Sequence, residues 1–249
     1  MSIHRPAGPV LPAGPGGRFP TRLGYVDVLD EYTGHTDPGG AAIRRDLGAL
    51  TITKVSVGPM DNNAYLLVCR ATAEALLIDA ANEPDRLMDL IGHDDYRPQL
   101  RTIVTTHRHH DHWQALGAVA GMCEPTTVAH PADAPELPIP ADVLVEHGDT
   151  VRVGEIELEV IHLRGHTPGS IALLYRGADH PHLFTGDSLF PGGVGRTGNP
   201  EDFRQLVEDV EQRVFDKLPD GTWIYPGHGD DTTLGVERPH LAEWRERGW

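Results

Sequence analysis

Residues 105–113 hold the densest group of metal-binding side chains in the sequence, Thr-Thr-His-Arg-His-His-Asp-His-Trp, directly after a short apolar run. His107 and His109 are two residues apart, so their imidazoles point the same way on an extended chain. Asp111 and His112 are adjacent, so their side chains diverge. One short loop can therefore supply ligands to two neighbouring metal positions, and we expect the remaining His110 to point outward.

Three more histidine and aspartate positions follow predicted strands further along the chain, at residues 166, 187 and 228. With the loop they offer five imidazoles and two carboxylates, a set that suits zinc and also iron or manganese. Seven ligands are too many for one tetrahedral ion, so we predict two divalent metal ions, with zinc as the first expectation. The predicted ligands are His107, His109, Asp111, His112, His166, Asp187 and His228.

The predicted chemistry is attack by a hydroxide held between the two ions. Such a hydroxide is available near neutral pH because a metal lowers the pKa of bound water to about 7. Asp111 is the predicted catalytic residue, since its carboxylate can orient the hydroxide, and no serine or cysteine nucleophile is then required. Sorted by ion, the predicted ligands are His107, His109 and His166 for one, Asp111, His112 and His228 for the other, and Asp187 as the bridge.

Apolar runs and turn residues predict the elements that position these side chains. Continuous apolar runs at residues 65–69 and 75–79 are typical of buried strands, and the short loop between them predicts an antiparallel pair. Helices are predicted over residues 83–91, from Asp111 onward, from a capping Asn199 to about residue 218, and near the end of the chain. Each predicted ligand lies in a loop just past a strand. This order predicts an α/β fold, a two-sheet sandwich with outer helices and a site at one rim.

The composition narrows the class of partner. The formal net charge is −16 with the histidines neutral, which argues against a nucleic-acid partner because such a surface needs a basic patch. No stretch approaches the ~18 apolar residues of a membrane span, and the first residues do not read as a signal peptide. Cys69 and Cys123 lie in apolar surroundings and are expected to be reduced. We therefore expect a cytoplasmic protein that acts on a small molecule.

The first 48 residues differ in composition from the rest of the chain. Residues 1–20 are rich in proline and glycine, which predicts irregular or extended chain. We predict an N-terminal extension over residues 1–48 and a single domain over residues 49–249. The extension could lie across the domain surface or contribute to a homo-oligomer, and both interpretations stay open.

The motifs together resemble the metallo-β-lactamase superfamily. They are His-x-His-x-Asp-His at residues 107–112, Gly-His-Thr-Pro-Gly at 165–169, Thr-Gly-Asp at 185–187 and Gly-His at 227–228. The resemblance covers roughly residues 50–249 and implies an αββα sandwich with a binuclear metal site. Within the superfamily, residues 186–197 are most similar to the glyoxalase II (hydroxyacylglutathione hydrolase) branch.

The chain departs from glyoxalase II at its end. That family carries a long C-terminal helical domain that grips glutathione, whereas this chain has only 21 residues after His228. Thiolester chemistry remains sensible, because a thiolate leaving group has a pKa of about 8.5 and can depart unprotonated. We therefore predict a metal-dependent hydrolase of a small thiolester or ester that lacks the glutathione-binding domain.

Several other functions remain to be compared. Persulfide dioxygenases resemble the same pattern and hold one iron, which the motif positions would assign to His107, His166 and Asp187. A lactonase or β-lactamase-type hydrolase is a further alternative, although the β-lactamase subclasses replace the aspartate of Thr-Gly-Asp with cysteine or serine. The acidic charge disfavours an RNA-processing member. A binding module without activity would be expected to have lost some of the seven ligands.

Three positions near the motifs have an open role. Asp79 stands at a strand end and could orient a ligand histidine. Residues 62–65 could reach the mouth of the site or form a plain turn. Arg196 is expected to brace the loop after Asp187 rather than to bind substrate.

Overall fold

The structure of the protein is a computed structural model that describes residues 26–93 and 98–248. The predicted irregular segment, residues 1–20, lies outside this range. Two β-sheets face each other and helices cover their outer faces, so the predicted αββα sandwich is confirmed. None of the helices within the described residues is long and apolar enough to cross a membrane.

The first sheet has eight strands that follow one another in space in the order of the sequence. The second to the fifth strand pair antiparallel, and the fifth to the eighth pair parallel. The pair predicted at residues 65–69 and 75–79 is thereby confirmed. The strands are β1 Val28–Leu29, β2 Ala42–Asp46, β3 Leu50–Val57, β4 Asn62–Cys69, β5 Glu74–Ile78, β6 Gln99–Val104, β7 Thr126–Ala129 and β8 Val143–Leu144.

The second sheet has six strands, and a two-stranded hairpin lies beside it. In space the sheet begins with the last strand of the sequence, followed by the strand before His228 and the strand before Asp187. The other three strands follow in reverse sequence order. Its strands are β9 Thr150–Val153, β10 Ile156–His162, β11 Ile171–Arg176, β12 Pro181–Gly186, β15 Trp223–Pro226 and β16 Thr232–Thr233, and the hairpin is β13 Leu189–Phe190 with β14 Gly193–Val194.

Five α-helices complete the described chain. Asn199 caps the third helix as predicted, since its side chain accepts hydrogen bonds from the backbone N–H groups of Glu201 and Asp202. That helix ends at Val210, and one wider turn, Glu211–Phe215, continues toward the predicted end. The helices are α1 Pro84–Gly92, α2 Leu116–Cys123, α3 Pro200–Val210, α4 Leu234–Glu237 and α5 Leu241–Arg247.

Three apolar clusters correspond to the layers of the sandwich. The middle cluster lies between the sheets and includes Leu67, Phe184 and Tyr225. The second packs α1 and α2 on the first sheet, and the third packs α3 and α5 on the second sheet. Strand β12 is buried on both faces along most of its length, so its carboxyl end, where the loop of Asp187 begins, is held rigidly.

The start of the sheet and the start of α2 differ in detail from the sequence interpretation. Strands β1 and β2 lie before residue 49, so the first sheet extends into the predicted extension, of which residues 1–25 lie outside the described range. The helix predicted from Asp111 begins at Leu116. A single 3₁₀ turn, His110–His112, precedes it, because the histidine and aspartate side chains of this loop point toward the site instead of following a helical face.

Candidate metal centre

All seven predicted ligands lie together at one rim of the sandwich. His107, His109 and His166 form a first triad, in which the ligand atoms lie within 4.8 Å of one another. The Nε2 atoms of His107 and His166 are 3.3 Å apart. His109 is the exposed member and its ring lies edge-on to both of the other rings. The loop after β6 and the loop after β10 therefore meet here.

Asp111, His112 and His228 form a second triad of the same compactness. The Nε2 atoms of the two histidines are 3.2 Å apart, and Asp111 Oδ2 lies 3.2 Å from Nε2 of His228 and 3.4 Å from Nε2 of His112. His112 is fully buried. The second triad combines the loop after β6 with the loop after β15.

The carboxylate of Asp187 lies between the two triads. Its Oδ1 is 3.4 Å from Nε2 of His112, and its Oδ2 is 3.5 Å from Nε2 of both His166 and His228. Position 227 must be a glycine, because a Cβ on Gly227 would overlap Oδ1 of Asp187. The geometry therefore matches the predicted position of Asp187 between two groups of three ligands.

Four of the five histidines have their Nδ1 atom engaged by an oxygen on the side away from the site. The partners are Thr106 Oγ1 for His107 at 3.0 Å, Asp79 Oδ2 for His112 at 2.8 Å, the Arg196 carbonyl for His166 at 2.6 Å and the Met60 carbonyl for His228 at 2.9 Å. An acceptor at Nδ1 fixes the tautomer that leaves the Nε2 lone pair free. The four Nε2 atoms then converge on the shared space, as metal binding requires.

The two triads differ in electrostatics. Burial lowers the pKa of His107, His109 and His166, and neighbouring imidazoles lower it further. In the second triad burial also lowers the pKa of the histidines, but adjacent carboxylates outweigh it. Asp187 and Asp79 raise the pKa of His112 well above its usual value, and hydrogen bonds to Asp111 and Asp187 raise that of His228 to about 10.

The residues fit a binuclear metal centre by two independent observations. The buried Oδ1 of Asp187 has no hydrogen-bond partner among the described residues, and such an orphaned acceptor is costly unless a cation satisfies it. The donor set of five imidazole nitrogens and two carboxylates is the one that divalent zinc, iron or manganese prefers.

Two further residues hold the second triad. Asp79 orients His112 and also accepts from the backbone N–H and hydroxyl of Thr106, which settles the role left open for it. Asn62 reaches the site as well: its Nδ2 donates to Asp111 Oδ2 at 2.8 Å, and the residue forms a β-bridge with His228. Its position before an apolar strand was visible in the sequence, but the pairing with His228 was not.

His110 lies where it was expected, pointing away from the site. His110 is exposed, and its ring lies edge-on to Trp113. Arg196 has an exposed side chain and reaches the site through its backbone carbonyl. Asp133, which the sequence interpretation missed, is buried between two ligand loops. No local spacing distinguishes it from the other aspartates.

Comparison with known proteins gives the same picture. The sequence pattern of the metallo-beta-lactamase superfamily matches residues 57–228. Hydroxyacylglutathione hydrolase of Pseudomonas savastanoi pv. phaseolicola is 37% identical over 172 residues, which are 68% of this chain and 62% of that enzyme. The chain thus spans less than two thirds of that relative.

Two solved structures are similar throughout most of the described domain. The crystal structure of ETHE1 from Myxococcus xanthus has a TM-score of 0.68 and 32% identity, and the match covers 78% of this chain and 84% of that one. TTHA1623, solved in a di-iron-bound form, has a TM-score of 0.64 and 30% identity, with 74% and 96% coverage.

Proposed function

The chain belongs to the metallo-β-lactamase superfamily, and from that premise we propose that it hydrolyses a small thiolester or ester with two divalent metal ions. The position of Asp187 carries the proposal, since its two oxygens lie 3.4 to 3.5 Å from histidines of both triads. Zinc is the proposed metal, and iron or manganese would accept the same ligands.

The seven side chains would hold the ions as two sets of three, with Asp187 shared. When bound, the ions would supply a hydroxide that is nucleophilic near neutral pH and would polarise the carbonyl of the substrate. No nucleophilic side chain is needed for this class of reaction. The work left to the protein is to orient the reacting groups.

Asp111 is the residue proposed to orient the attacking oxygen. Burial raises the pKa of Asp111, but the adjacent His228 and His112 and the amide of Asn62 outweigh it and hold the pKa well below its usual value. Its carboxylate is therefore charged throughout the neutral range and can accept a hydrogen bond from the attacking oxygen. Asn62 fixes the carboxylate through Oδ2, so Asp111 presents one defined face to the site.

The proposed leaving group is a thiolate. With a pKa of about 8.5 a thiol can leave without a proton donor, whereas an amine would need a general acid. The chain is similar in sequence to hydroxyacylglutathione hydrolase, whose name denotes a thiolester substrate, and this similarity supports thiolesters as the substrate class. Because this chain spans only 62% of that enzyme, we propose the chemistry without proposing glutathione as the thiol.

Metal analysis followed by a thiolester assay tests the proposal. Protein purified without added metal should contain about two zinc ions per chain and hydrolyse simple acyl thiolesters, and a chelator should abolish the activity until zinc is restored. His112→Ala should lose one ion, whereas the matched variant His110→Ala should keep both because that ring lies outside the site. A chain that binds no metal, or hydrolyses no thiolester when loaded, contradicts the proposal.

A mononuclear iron persulfide dioxygenase is the second candidate. His107, His166 and Asp187, the positions assigned to its iron by motif, are adjacent: Nε2 of His166 lies 3.3 Å from His107 and 3.5 Å from Asp187. The similarity to ETHE1 covers 84% of that chain, more than the match to the hydrolase covers. One iron per chain with oxygen consumption on a thiol persulfide would favour this candidate over the hydrolase.

The partner proposed for the site is a small molecule in the cytoplasm. The acidic net charge of −16 repels nucleic acids. We propose no macromolecular partner other than a second copy of the chain, which the N-terminal segment could contact.

A further inference from the structure

Asp133 is a buried carboxylate outside the seven ligands, in the turn that follows β7. Its side chain is 2% exposed. Oδ2 accepts from the backbone N–H of Arg108 at 3.0 Å and from the hydroxyl of Thr167, and Oδ1 accepts from the backbone N–H of Gly169 at 2.9 Å. One carboxylate therefore binds two separate loops at once.

These two loops carry the whole first triad. Arg108 stands between His107 and His109 in the loop after β6. Thr167 directly follows His166 in the loop after β10. Two members of the second triad, Asp111 and His112, share the loop after β6, but each is oriented by its own partner, Asn62 and Asp79 respectively. The third member, His228, belongs to a loop that Asp133 does not contact.

We propose that Asp133 is a positioning residue that fixes the distance between the two loops and thereby assembles the first metal triad. The inference rests on the binuclear site proposed above. It assigns to Asp133 a selective effect on one of the two ions.

The chemistry of the contact requires an aspartate. An ionised carboxylate is only an acceptor, and here it faces two N–H donors and one O–H donor. An asparagine of the same shape would turn an NH₂ group toward one of these donors and leave it unpaired in a buried place, which costs free energy. The approach is also close, because a Cβ on Gly169 would lie 2.7 Å from the carboxyl carbon of Asp133.

Cobalt titrations in two backgrounds test the proposal. His228→Ala weakens the second triad and leaves the first intact, so it reports the first ion; His109→Ala does the reverse. Adding Asp133→Asn should weaken Co²⁺ binding roughly 10- to 100-fold in the His228→Ala background, the usual cost of removing a partner that orients metal ligands. In the His109→Ala background the affinity should stay within about twofold.

Asp142→Asn is the matched control. Asp142, which is more exposed, also accepts from one backbone N–H and one hydroxyl, both of Thr127, at 2.8 and 2.9 Å, but Thr127 lies on β7 and not in a ligand loop. It should change Co²⁺ affinity in neither background. If Asp133→Asn weakens both ions equally, or neither, Asp133 is a general structural residue and the proposal is wrong.

A milder variant covers the case in which Asp133→Asn does not fold. Thr167→Val removes one of the three donors and keeps the backbone contacts, and it should weaken the first ion several-fold and spare the second; equal effects on both ions overturn the proposal. Failure of the binuclear function itself has a different signature, because the unsubstituted chain would then bind fewer than two Co²⁺ ions.

Discussion

The two triads of the metal centre are built in different ways. The first consists of three imidazoles on two loops, includes the exposed His109, and depends on one carboxylate that joins the loops. The second contains the fully buried His112 and a carboxylate, and it is tied to the ends of strands β4, β5 and β15 by Asn62, Asp79 and the chain around His228.

The region beneath the second triad adds a buried ion pair. Lys54 and Asp231 have side chains with 0% exposure and an Nζ–Oδ1 distance of 2.7 Å. Lys54 also donates to the carbonyls of Gly34 and Gly229, and Asp231 accepts from Tyr32 and Trp223. The second triad therefore rests on the sandwich interior, whereas the first rests on loop-to-loop contacts. We expect substitutions around the first triad to change metal binding alone. Substitutions around the second triad should also change the free energy of unfolding of the whole domain.

Replacing Asp187 should have the largest effect, because this residue is common to both triads. Removing a partner that only orients a ligand costs about 10- to 100-fold, so loss of a ligand shared by two ions should lower kcat/KM by on the order of 10³-fold or more. Asp187→Asn should also bind fewer than two ions per chain. The exposed Asp216→Asn serves as the control. Two ions at full occupancy in Asp187→Asn would show that the carboxylate does not bridge them.

Lys54→Met should come next and should test the coupling of the second triad to stability. The change leaves a buried carboxylate without its cation, which typically costs about 3–5 kcal/mol. Urea unfolding at neutral pH measures the loss, and Lys217→Met, on an exposed lysine, is the matched control. The double variant Lys54→Met/Asp231→Asn should regain part of the loss. If Lys54→Met leaves the unfolding free energy unchanged, the two regions do not differ as described.

Acid should weaken the contact between β12 and β15, the two strands that precede Asp187 and His228. Burial, with a contribution from Arg45, lowers the pKa of His182 on β12 to about 4, and this ring contacts Tyr225 on β15. In the unfolded chain the pKa is about 6.5. Between these values the unfolded state binds more protons, so stability falls as pH drops from about 6.5 to about 4, by a total of about 3 kcal/mol.

Unfolding free energies of His182→Gln across this pH range would measure the effect. The variant should lose less stability on acidification than the unsubstituted protein, while His180→Gln, at an exposed position, should follow the unsubstituted curve. Parallel curves for all three proteins would assign the acid sensitivity to other histidines.

Asp79→Asn should have the smallest of these effects, and it tests how the second triad depends on the residue that orients His112. Asp79 has a positive φ of 58°, which asparagine tolerates, so the backbone should be kept. Loss of the charged acceptor for Nδ1 of His112 should weaken the second ion by roughly 10- to 100-fold. The first ion should weaken less, because Asp79 reaches His107 only through the hydroxyl of Thr106. This is the mirror image of Asp133→Asn, and calorimetric zinc titration of both variants would show whether the triads are independent.

The seven residues of the candidate metal centre could be predicted because their determinants are local. The spacing at residues 107–112 and the position of each other ligand after an apolar strand are properties of short segments, and the structure brings all seven residues together. Most of the longer strands and three of the helices were predicted for the same reason, whereas β1, β2, the hairpin β13–β14 and β16 were not. The helix expected from Asp111 begins later in the chain. The sequence does not show that the side chains of this loop turn toward the site, and so it does not show that the chain is not yet helical there.

The supporting residues could not be predicted, because their partners lie far away in the chain. Asp133 contacts residues 25 to 36 positions distant, and nothing nearby marks it among the aspartates. Lys54 was hidden for a similar reason: a lysine in a strand normally points to solvent, and only the folded chain supplies Asp231, 177 residues later. Long-range pairing of this kind requires the three-dimensional structure.

The buried ion pair also has a use in labelling experiments. The sequence contains only two lysines, Lys54 and the exposed Lys217. Acylating reagents, which react with neutral amines, should modify Lys217 quickly. They should modify Lys54 only when β3 separates from the chain at Gly229. The slow acylation of Lys54, located by peptide mass spectrometry, would therefore time the local opening of the chain around Lys54 and Gly229.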